Sequence, residues 1–151
     1  MVVFWKAECN FEVDTYSLNH IDVIVNKGKE NEWRFTGFYG EPDTNLRHES
    51  WEKLRRLKNK YSISWVCVRD FNEIAKAHEK LGGRPRPVRQ MEAFKDVMDE
   101  CGFKDLGFVR GKYTWCRSYG ENNIIWERLD RAMATTHWIK LFLATKVVHL
   151  E

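Results

Sequence analysis

The chain is 151 residues long and 43% hydrophobic, enough for one buried core with little room for a second. Its 25 basic and 22 acidic residues give a formal net charge of +3, which permits a polyanionic partner without demanding one. No apolar run approaches the length of a membrane span, and the N-terminus lacks the basic and apolar regions of a secretion signal. The composition thus excludes membrane-spanning and secreted classes and predicts a soluble protein.

Strand and helix patterns alternate in the first half. A turn-rich NKGKENE segment between two apolar runs predicts a β-hairpin. Trp51, Leu54 and Leu57 recur at helical spacing and predict a helix packed on one face. The short β-branched run that follows fits a strand buried on both faces. The strands predicted here are residues 1–5, 11–16, 20–25, 33–39 and 63–68.

The second half continues the alternation. LGGRPRPVRQ, with two glycines and two prolines, predicts a loop. A helix follows, with Met91, Phe94, Met98 and Cys101 on one stripe and Gly102 at its end. Strands are predicted at 112–116, 124–129 and 146–150, and a turn at 138–142, with the polar RSYGENN between the first two of these strands. The alternation predicts an α/β or α+β layered fold in one domain, residues 1–151.

The four cysteines are far apart in sequence, and three lie in apolar segments where a reduced thiol packs as a small hydrophobic group. This pattern favours a reducing, intracellular compartment, cytoplasmic or nuclear. The cysteines are Cys9, Cys67, Cys101 and Cys116.

The stretch VCVRDFNE is an apolar run that ends in polar residues, among them Asp70 and Asn72. Residues two apart on a strand point to the same side, and layered folds bind ligands where strands end. An aspartate there can orient or deprotonate a water, and an asparagine amide can donate to a phosphoryl oxygen. The other interpretation is that Asp and Asn are ordinary turn residues ending a strand.

Further blocks accompany RDFNEI in a fixed order: GFYG before it, then EKLGGRPRP, CGFKDLGF, KYTWC and IIWERLDRA. Together they resemble the endonuclease/exonuclease/phosphatase family, most closely the endonuclease domain of plant LINE-type (non-LTR) retrotransposons, over essentially the whole chain. The resemblance implies a four-layered α/β sandwich of two facing mixed sheets flanked by helices. It also implies Mg²⁺-dependent hydrolysis of DNA phosphodiester bonds by a monomer, with a reverse transcriptase region elsewhere in a parent polyprotein.

The resemblance assigns roles to four residues. Asp70 would activate the attacking water, and Asn72 would donate to the transition-state oxygens. Tyr39 matches the strand-end tyrosine near the phosphate, with a core or rim aromatic as the alternative. Asp130 matches the aspartate that orients a catalytic histidine, with a capping or salt-bridging role beside two arginines as the alternative.

The chain also departs from the family pattern. Arg69 stands where the family has a glycine, and we expect its side chain to crowd the pocket or to place a charge beside Asp70. The family's metal-binding glutamate and closing Ser-Asp-His have no match, since Glu8 lies in a different context and VVHLE makes His149 a strand residue. We therefore expect a domain incomplete at both ends, a weak metal site and little nuclease activity.

Basic residues suggest where DNA would bind. Arg84, Arg86 and Arg89, with Lys80, surround the GGRPRP loop and are candidates for phosphate contacts, or else form a solvated basic loop. The resemblance adds Arg117 and Tyr119 of the RSYGENN turn as DNA contacts. Trp51 and Phe94 fit the core better than a base-stacking surface.

Three hypotheses follow from the sequence. The chain is a metal-dependent DNA endonuclease, or a non-catalytic remnant that binds nucleic acid, or a fragment that does not fold by itself because its sheet edges and apolar faces stay open. A phosphatase-like member of the same family also fits the shared site residues.

Overall fold

The computed structural model describes residues 8–120 and 123–149, which form two β-sheets with helices packed beside them. The strands are β1 Phe11–Tyr16, β2 His20–Val25, β3 Trp33–Phe38, β4 Ser64–Asp70, β5 Lys80–Leu81, β6 Phe103–Asp105, β7 Trp115–Ser118, β8 Ile124–Glu127 and β9 Asp130–Thr135. The helices are α1 Arg47–Lys60, α2 Val88–Glu100 and α3 Thr136–Leu141.

The larger sheet has the order β1-β2-β3-β4-β9-β6. The predicted hairpin is confirmed, because β2 and β3 pair antiparallel on either side of the turn-rich segment. Strands β3 and β4 are parallel, with α1 as the crossover between them, and β9 pairs antiparallel with β4. The carboxyl ends of β3 and β4 and the beginning of β9 therefore meet at one edge of this sheet.

The main core lies between this sheet and helices α1 and α2. Trp51 of α1 stacks on Phe94 of α2 at 4.9 Å between ring centroids, and Phe94 contacts Phe71 at 5.6 Å. Both Trp51 and Phe94 are buried, which confirms their predicted place in the core. Trp65, Val66 and Cys67 are buried in succession on β4, so this strand is covered on both faces as predicted.

Several charged side chains are buried within this fold. Asp22 on β2 accepts hydrogen bonds from Arg34 on β3 at 2.6–3.0 Å and from the Thr36 hydroxyl at 2.6 Å. The exposed fractions of the Arg34 and Asp22 side chains are 1% and 0%. A buried charge is tolerated when its partner and hydrogen bonds replace water, which this pair provides.

A second buried network joins the two halves of the chain. Arg131 on β9 donates to Glu79 at 2.9 Å and to Asp105 at 2.9 Å, and Arg128 contacts the same two carboxylates. Burial raises the pKa of Glu79 and Asp105, but the hydrogen bonds and positive charges of the two guanidinium groups have the larger combined effect, and the pKa of both carboxyl groups is lowered. The network holds β6 and the short 3-10 turn Ala77–Glu79 against β9.

The end of the chain differs from the prediction. The predicted strand at 124–129 ends at Glu127, and a new strand of the other sheet, β9, begins at Asp130. No strand forms over the described part of 146–150, residues 146–149, where Val148 makes only an isolated bridge with Val109. The predicted turn at 138–142 is helix α3.

Other boundaries shift less. Strand β7 begins at Trp115 instead of residue 112, and β6 was not predicted. The predicted loop LGGRPRPVRQ is shorter at both ends, because Leu81 belongs to the short strand β5 and α2 already begins at Val88. The predicted strand at 1–5 lies outside the described residues. Of the four cysteines, three were expected in apolar segments, but only Cys67 and Cys101 are buried, while Cys9 and Cys116 are exposed.

The predicted fold class is confirmed: the chain is an α/β protein with a six-stranded mixed sheet, a three-stranded sheet and flanking helices. Across the described residues, no helix is long and apolar enough to cross a membrane.

Candidate active site

All four predicted catalytic residues lie at the sheet edge defined above. Asp70 is the last residue of β4, and Asp130, the first residue of β9, is its register partner across the two strands. Asn72 follows two residues after Asp70. Tyr39, the fourth, comes directly after β3 at the same edge, and it is 40% exposed.

Asp70 and Asn72 are held together by a tight turn. The Asn72 backbone N–H donates to Asp70 Oδ1 at 2.7 Å, and the Asn72 side-chain amide donates to the Gly40 carbonyl at 2.6 Å. Asn72 has a φ of 53°, a left-handed conformation that asparagine tolerates better than most residues. The turn interpretation of these residues is therefore correct as structure, and the same turn fixes Asp70 at the strand end.

Gly40, in the GFYG block, brings β3 against this turn. Its N–H donates to the Asp70 carbonyl at 2.7 Å. A Cβ built on Gly40 would lie far inside van der Waals contact with the backbone carbonyl of Phe71. Only glycine therefore allows the two strand ends to approach this closely.

Asp130 reaches the edge from the other side. Thr114 Oγ1 accepts hydrogen bonds from the backbone N–H groups of Leu129 and Asp130, at 3.0 and 2.9 Å. The Asp130 carboxylate makes no hydrogen bond or ion pair with the described part of the chain, so the salt bridge with Arg128 or Arg131 that was the alternative to a catalytic role does not form. Those two arginines bind Glu79 and Asp105 instead.

The pairing of Asp70 with Asp130 affects the acidity of Asp70. Burial is the largest effect and raises the pKa of Asp70, the hydrogen bond from the Asn72 N–H lowers it, and the negative charge of Asp130 raises it again. Arg47 and Arg69 lower it by smaller amounts. The net result is a raised pKa, which makes Asp70 a stronger proton acceptor than an exposed aspartate.

Arg69 has an unusual backbone. Its φ is 109°, in the range that favours glycine, and it lies within β4 directly before Asp70. Its side chain is exposed and makes no hydrogen bond or ion pair with the described residues. A glycine at this position, as in the family pattern, would therefore fit the backbone conformation and would also leave the site free of a side chain.

A buried glutamate directly after the turn anchors it through two ion pairs. Glu73, fully buried, binds Arg47 at 2.7 Å and Arg86 at 3.0 Å. Arg86 also binds Glu127 at 2.8 Å, as does Lys80 at 2.6 Å. Arg86 and Lys80 thus hold the loop 71–87 in place, a role that the sequence did not indicate because Glu127, which both residues bind, is distant along the chain.

The other predicted DNA contacts are exposed. Arg84 and Arg89 reach solvent on the same loop and at the start of α2. Arg117 lies over the ring of Tyr119 at 4.8 Å, and Tyr119 is 55% exposed. DNA binding by these four residues stays a prediction.

His149 lies in an apolar depression of about 810 Å³ on the sheet face opposite α1 and α2, and Asp130 also lines it. His149 Nδ1 donates to the Gly111 carbonyl at 2.6 Å, and its ring stacks on Phe108 at 4.8 Å. Nε2 is buried and has no hydrogen-bond partner among the described residues. The sequence expectation of a strand residue is wrong, since His149 follows an isolated bridge.

No protein-family model matches the chain, and no curated protein matches it. Among solved structures, it is similar to the endonuclease domain of TRAS1, a telomere-specific non-LTR retrotransposon. The TM-score is 0.64 at 15% sequence identity, over 86% of this chain and 55% of that chain. The chain therefore spans about half the length of the structure that it matches.

At this level of identity the similarity shows the fold alone. The chain has an endonuclease-like fold that is similar to part of that domain, in agreement with the coarser part of the resemblance seen in its sequence. The finer part, a relationship to plant LINE-type elements, stays a prediction.

Proposed function

We propose that the chain carries a phosphodiester-cleaving site of the DNA endonuclease type, centred on Asp70. The observation that supports this most is the turn that fixes Asp70 opposite Asp130 at a sheet edge, where burial raises the Asp70 pKa. A carboxylate with a raised pKa that is held at a ligand-binding edge is suited to accept a proton from water.

The chemistry follows from these positions. Asp70 Oδ1 accepts the Asn72 N–H, which leaves Oδ2 to take a proton from a water molecule. The water oxygen then bonds to phosphorus while the bond from phosphorus to one ester oxygen breaks, and that oxygen leaves with the electron pair. Asn72 has a second amide hydrogen beyond the one that binds Gly40, and this hydrogen is the donor for a phosphate oxygen.

Mg²⁺ is the cofactor that the resemblance implies. Within residues 8–120 and 123–149, no group of three or more His, Cys, Asp or Glu side chains could hold a metal ion. Mg²⁺ in phosphoryl-transfer sites is commonly held by one or two carboxylates, with water and substrate phosphate as the other ligands. The Asp130 carboxylate, which makes no hydrogen bond or ion pair with the described residues, fits that donor set as a single carboxylate and would hold the ion, which would supply charge neutralisation at the phosphate when bound.

We expect the rate to be low. The positive charge of Arg69 stabilises the ionised form of Asp70 and so makes it a weaker base. The second candidate function is nucleic-acid binding without cleavage, which is favoured by Arg69 and by the Asn72 amide already bonded to Gly40.

The test is nicking of supercoiled plasmid by the folded chain in Mg²⁺, with DNA binding measured on the same samples. Asp70→Asn keeps an oxygen for the Asn72 N–H but cannot act as a base, and should lower nicking about 100-fold or more. Asp96→Asn, on the exposed face of α2, is the matched control and should nick normally.

Nicking that survives Asp70→Asn would refute the proposed role of Asp70. Binding without nicking in the parent chain would support the second candidate. Hydrolysis of a phosphate monoester, dependent on Asp70 and without plasmid nicking, would point to the phosphatase-like alternative.

A further inference from the structure

The three-stranded sheet exposes one apolar face to solvent. Its strands are ordered β5-β8-β7, so β8 is central. On β8, Trp126 is 38% exposed and Ile124 is 40% exposed, and Leu81 of β5 is 57% exposed. These three side chains and Tyr113, which contacts Trp126, form what we call the aromatic face.

The pairing register shows which residues share this face. Side chains directly opposite each other on antiparallel strands point to the same side, and neighbours along a strand alternate. Trp126 pairs with Leu81 on one side and Cys116 on the other. Trp115 pairs with Glu127 and therefore lies on the opposite face, although its exposed fraction of 37% nearly equals that of Trp126.

A cation completes the aromatic face. Lys112 Nζ lies 5.2 Å from the centre of the Tyr113 ring, and the Tyr113 and Trp126 rings are 6.3 Å apart. Lys112 forms no ion pair with the described residues. The carboxylate of Glu127 lies on the other face, where Lys80 and Arg86 neutralise it. The aromatic face thus combines flat apolar rings with an uncompensated positive charge.

We propose that the aromatic face binds unpaired nucleotides of a single-stranded polynucleotide. Exposed bases stack on tryptophan and tyrosine rings, and an adjacent lysine attracts the phosphate that follows each base. The paired bases of a duplex offer no such free ring faces. This inference rests on the proposed function, because it names unpaired nucleotides near the cleavage site as part of the substrate, but it can be tested without cleavage.

Binding is measured with the full chain and a fluorescein-labelled oligo(dT) of about 12 nucleotides, by fluorescence anisotropy. Trp126→Leu removes the ring and keeps an apolar side chain, and should weaken binding roughly 5- to 100-fold. Trp126→Phe should restore part of the affinity, and Trp115→Leu, the matched control on the opposite face, should leave it unchanged. Circular dichroism checks that each variant is folded.

Two further measurements sharpen the result. Lys112→Gln should lower the slope of log affinity against log salt by about 0.7, the contribution of one phosphate on a single strand. An oligo(U) of the same length distinguishes RNA from DNA as the source of the unpaired bases, and a hairpin duplex should compete weakly with either.

Equal affinity of the Trp126→Leu and Trp115→Leu variants for oligo(dT) and oligo(U) would overturn the proposal, and so would stronger binding of the duplex. No binding of either oligonucleotide by the folded parent chain would also overturn it, and would leave the aromatic face to a protein partner. Plasmid nicking assayed on the Trp126→Leu variant separates the two proposals, since nicking that depends on Asp70 can persist when the aromatic face binds nothing.

Discussion

Replacing Arg69 with glycine should stabilise this protein although it removes a large side chain. The φ of Arg69 is 109°, and its exposed side chain makes no hydrogen bond or ion pair with the described residues. The substitution therefore removes little packing and relieves a backbone conformation that a Cβ disfavours.

The expected gain is a difference of two terms. Holding a residue other than glycine in a sparsely populated conformation costs about 1–3 kcal/mol. Glycine in a strand costs about 0.5–1 kcal/mol more than alanine, because the unfolded chain gains freedom. Arg69→Gly should then raise the free energy of unfolding by about 1 kcal/mol.

Urea unfolding at pH 7 measures this, with Arg69→Ala as the control. Alanine removes the guanidinium but keeps the Cβ, so Arg69→Ala should stay within about 0.5 kcal/mol of the parent. An Arg69→Gly variant no more stable than Arg69→Ala would show that the backbone is not strained. The same pair tests the site, because both variants remove the charge that lowers the Asp70 pKa, and both should therefore nick DNA faster than the parent.

Three other substitutions give distinct expectations. Gly40→Ala forces the ends of β3 and β4 apart and should lower the free energy of unfolding in urea by about 1–3 kcal/mol and reduce nicking. Gly111→Ala, whose Cβ would have its nearest neighbour at 4.0 Å, is the control and should lower it by less than about 0.5 kcal/mol. Equal losses in the two variants would refute the argument that β3 and β4 need glycine to approach. Burial raises the pKa of Asp70, so the folded chain holds this proton more tightly than the unfolded chain and loses stability as the pH rises from the unfolded pKa through the folded one. Asp70→Asn should therefore be more stable than the parent at pH 7, with the advantage disappearing below the ordinary aspartate pKa of 3.8. Unfolding curves that differ equally at every pH would contradict this. Asp22→Asn leaves the Arg34 guanidinium buried without a counter-charge and should cost about 3–5 kcal/mol, so a loss under 1 kcal/mol would show that water reaches the pair.

The strands with clear apolar patterns were predictable, and those interrupted by charge were not. β1 to β4 follow alternating or β-branched runs; the predicted bounds of β1 and β2 match the observed ones, and those of β3 and β4 differ from them by at most two residues. β9 was missed because it begins with Asp130 and Arg131, which interrupt the apolar pattern. Arg131 is nevertheless buried, since Glu79 and Asp105 neutralise it from segments far along the chain. Periodicity cannot reveal such partners.

The same limit applies to the basic loop. The sequence predicts phosphate contacts equally for Arg84, Arg86 and Arg89, because all three lie in or beside one Gly- and Pro-rich segment. The fold separates them: Arg86 is held by Glu73 and Glu127, while Arg84 and Arg89 remain exposed. An ion pair with a buried carboxylate already uses the charge of Arg86, so any salt-dependent DNA affinity of this loop must come from the other two.

The structural and catalytic interpretations of the DFN turn are compatible. Asn72 ends β4 with an ordinary turn, in which its N–H binds Asp70 and its side chain binds Gly40. Those same bonds place one oxygen of Asp70 in a fixed direction and leave the other free, at an edge where Asp130 raises its proton affinity. A general base needs this combination of a fixed position and a raised pKa. Asn72→Ala should therefore lower nicking even if the amide never touches the phosphate, because it releases the side-chain bond to Gly40 that anchors the turn. Asn72→Ala and Asn72→Asp both lose the amide that binds Gly40 and could bind the phosphate. Weak nicking with a lower free energy of unfolding in urea would assign the effect to the bond with Gly40, and weak nicking with an unchanged free energy of unfolding would assign it to the phosphate contact. Normal nicking by both variants would show that the site needs neither.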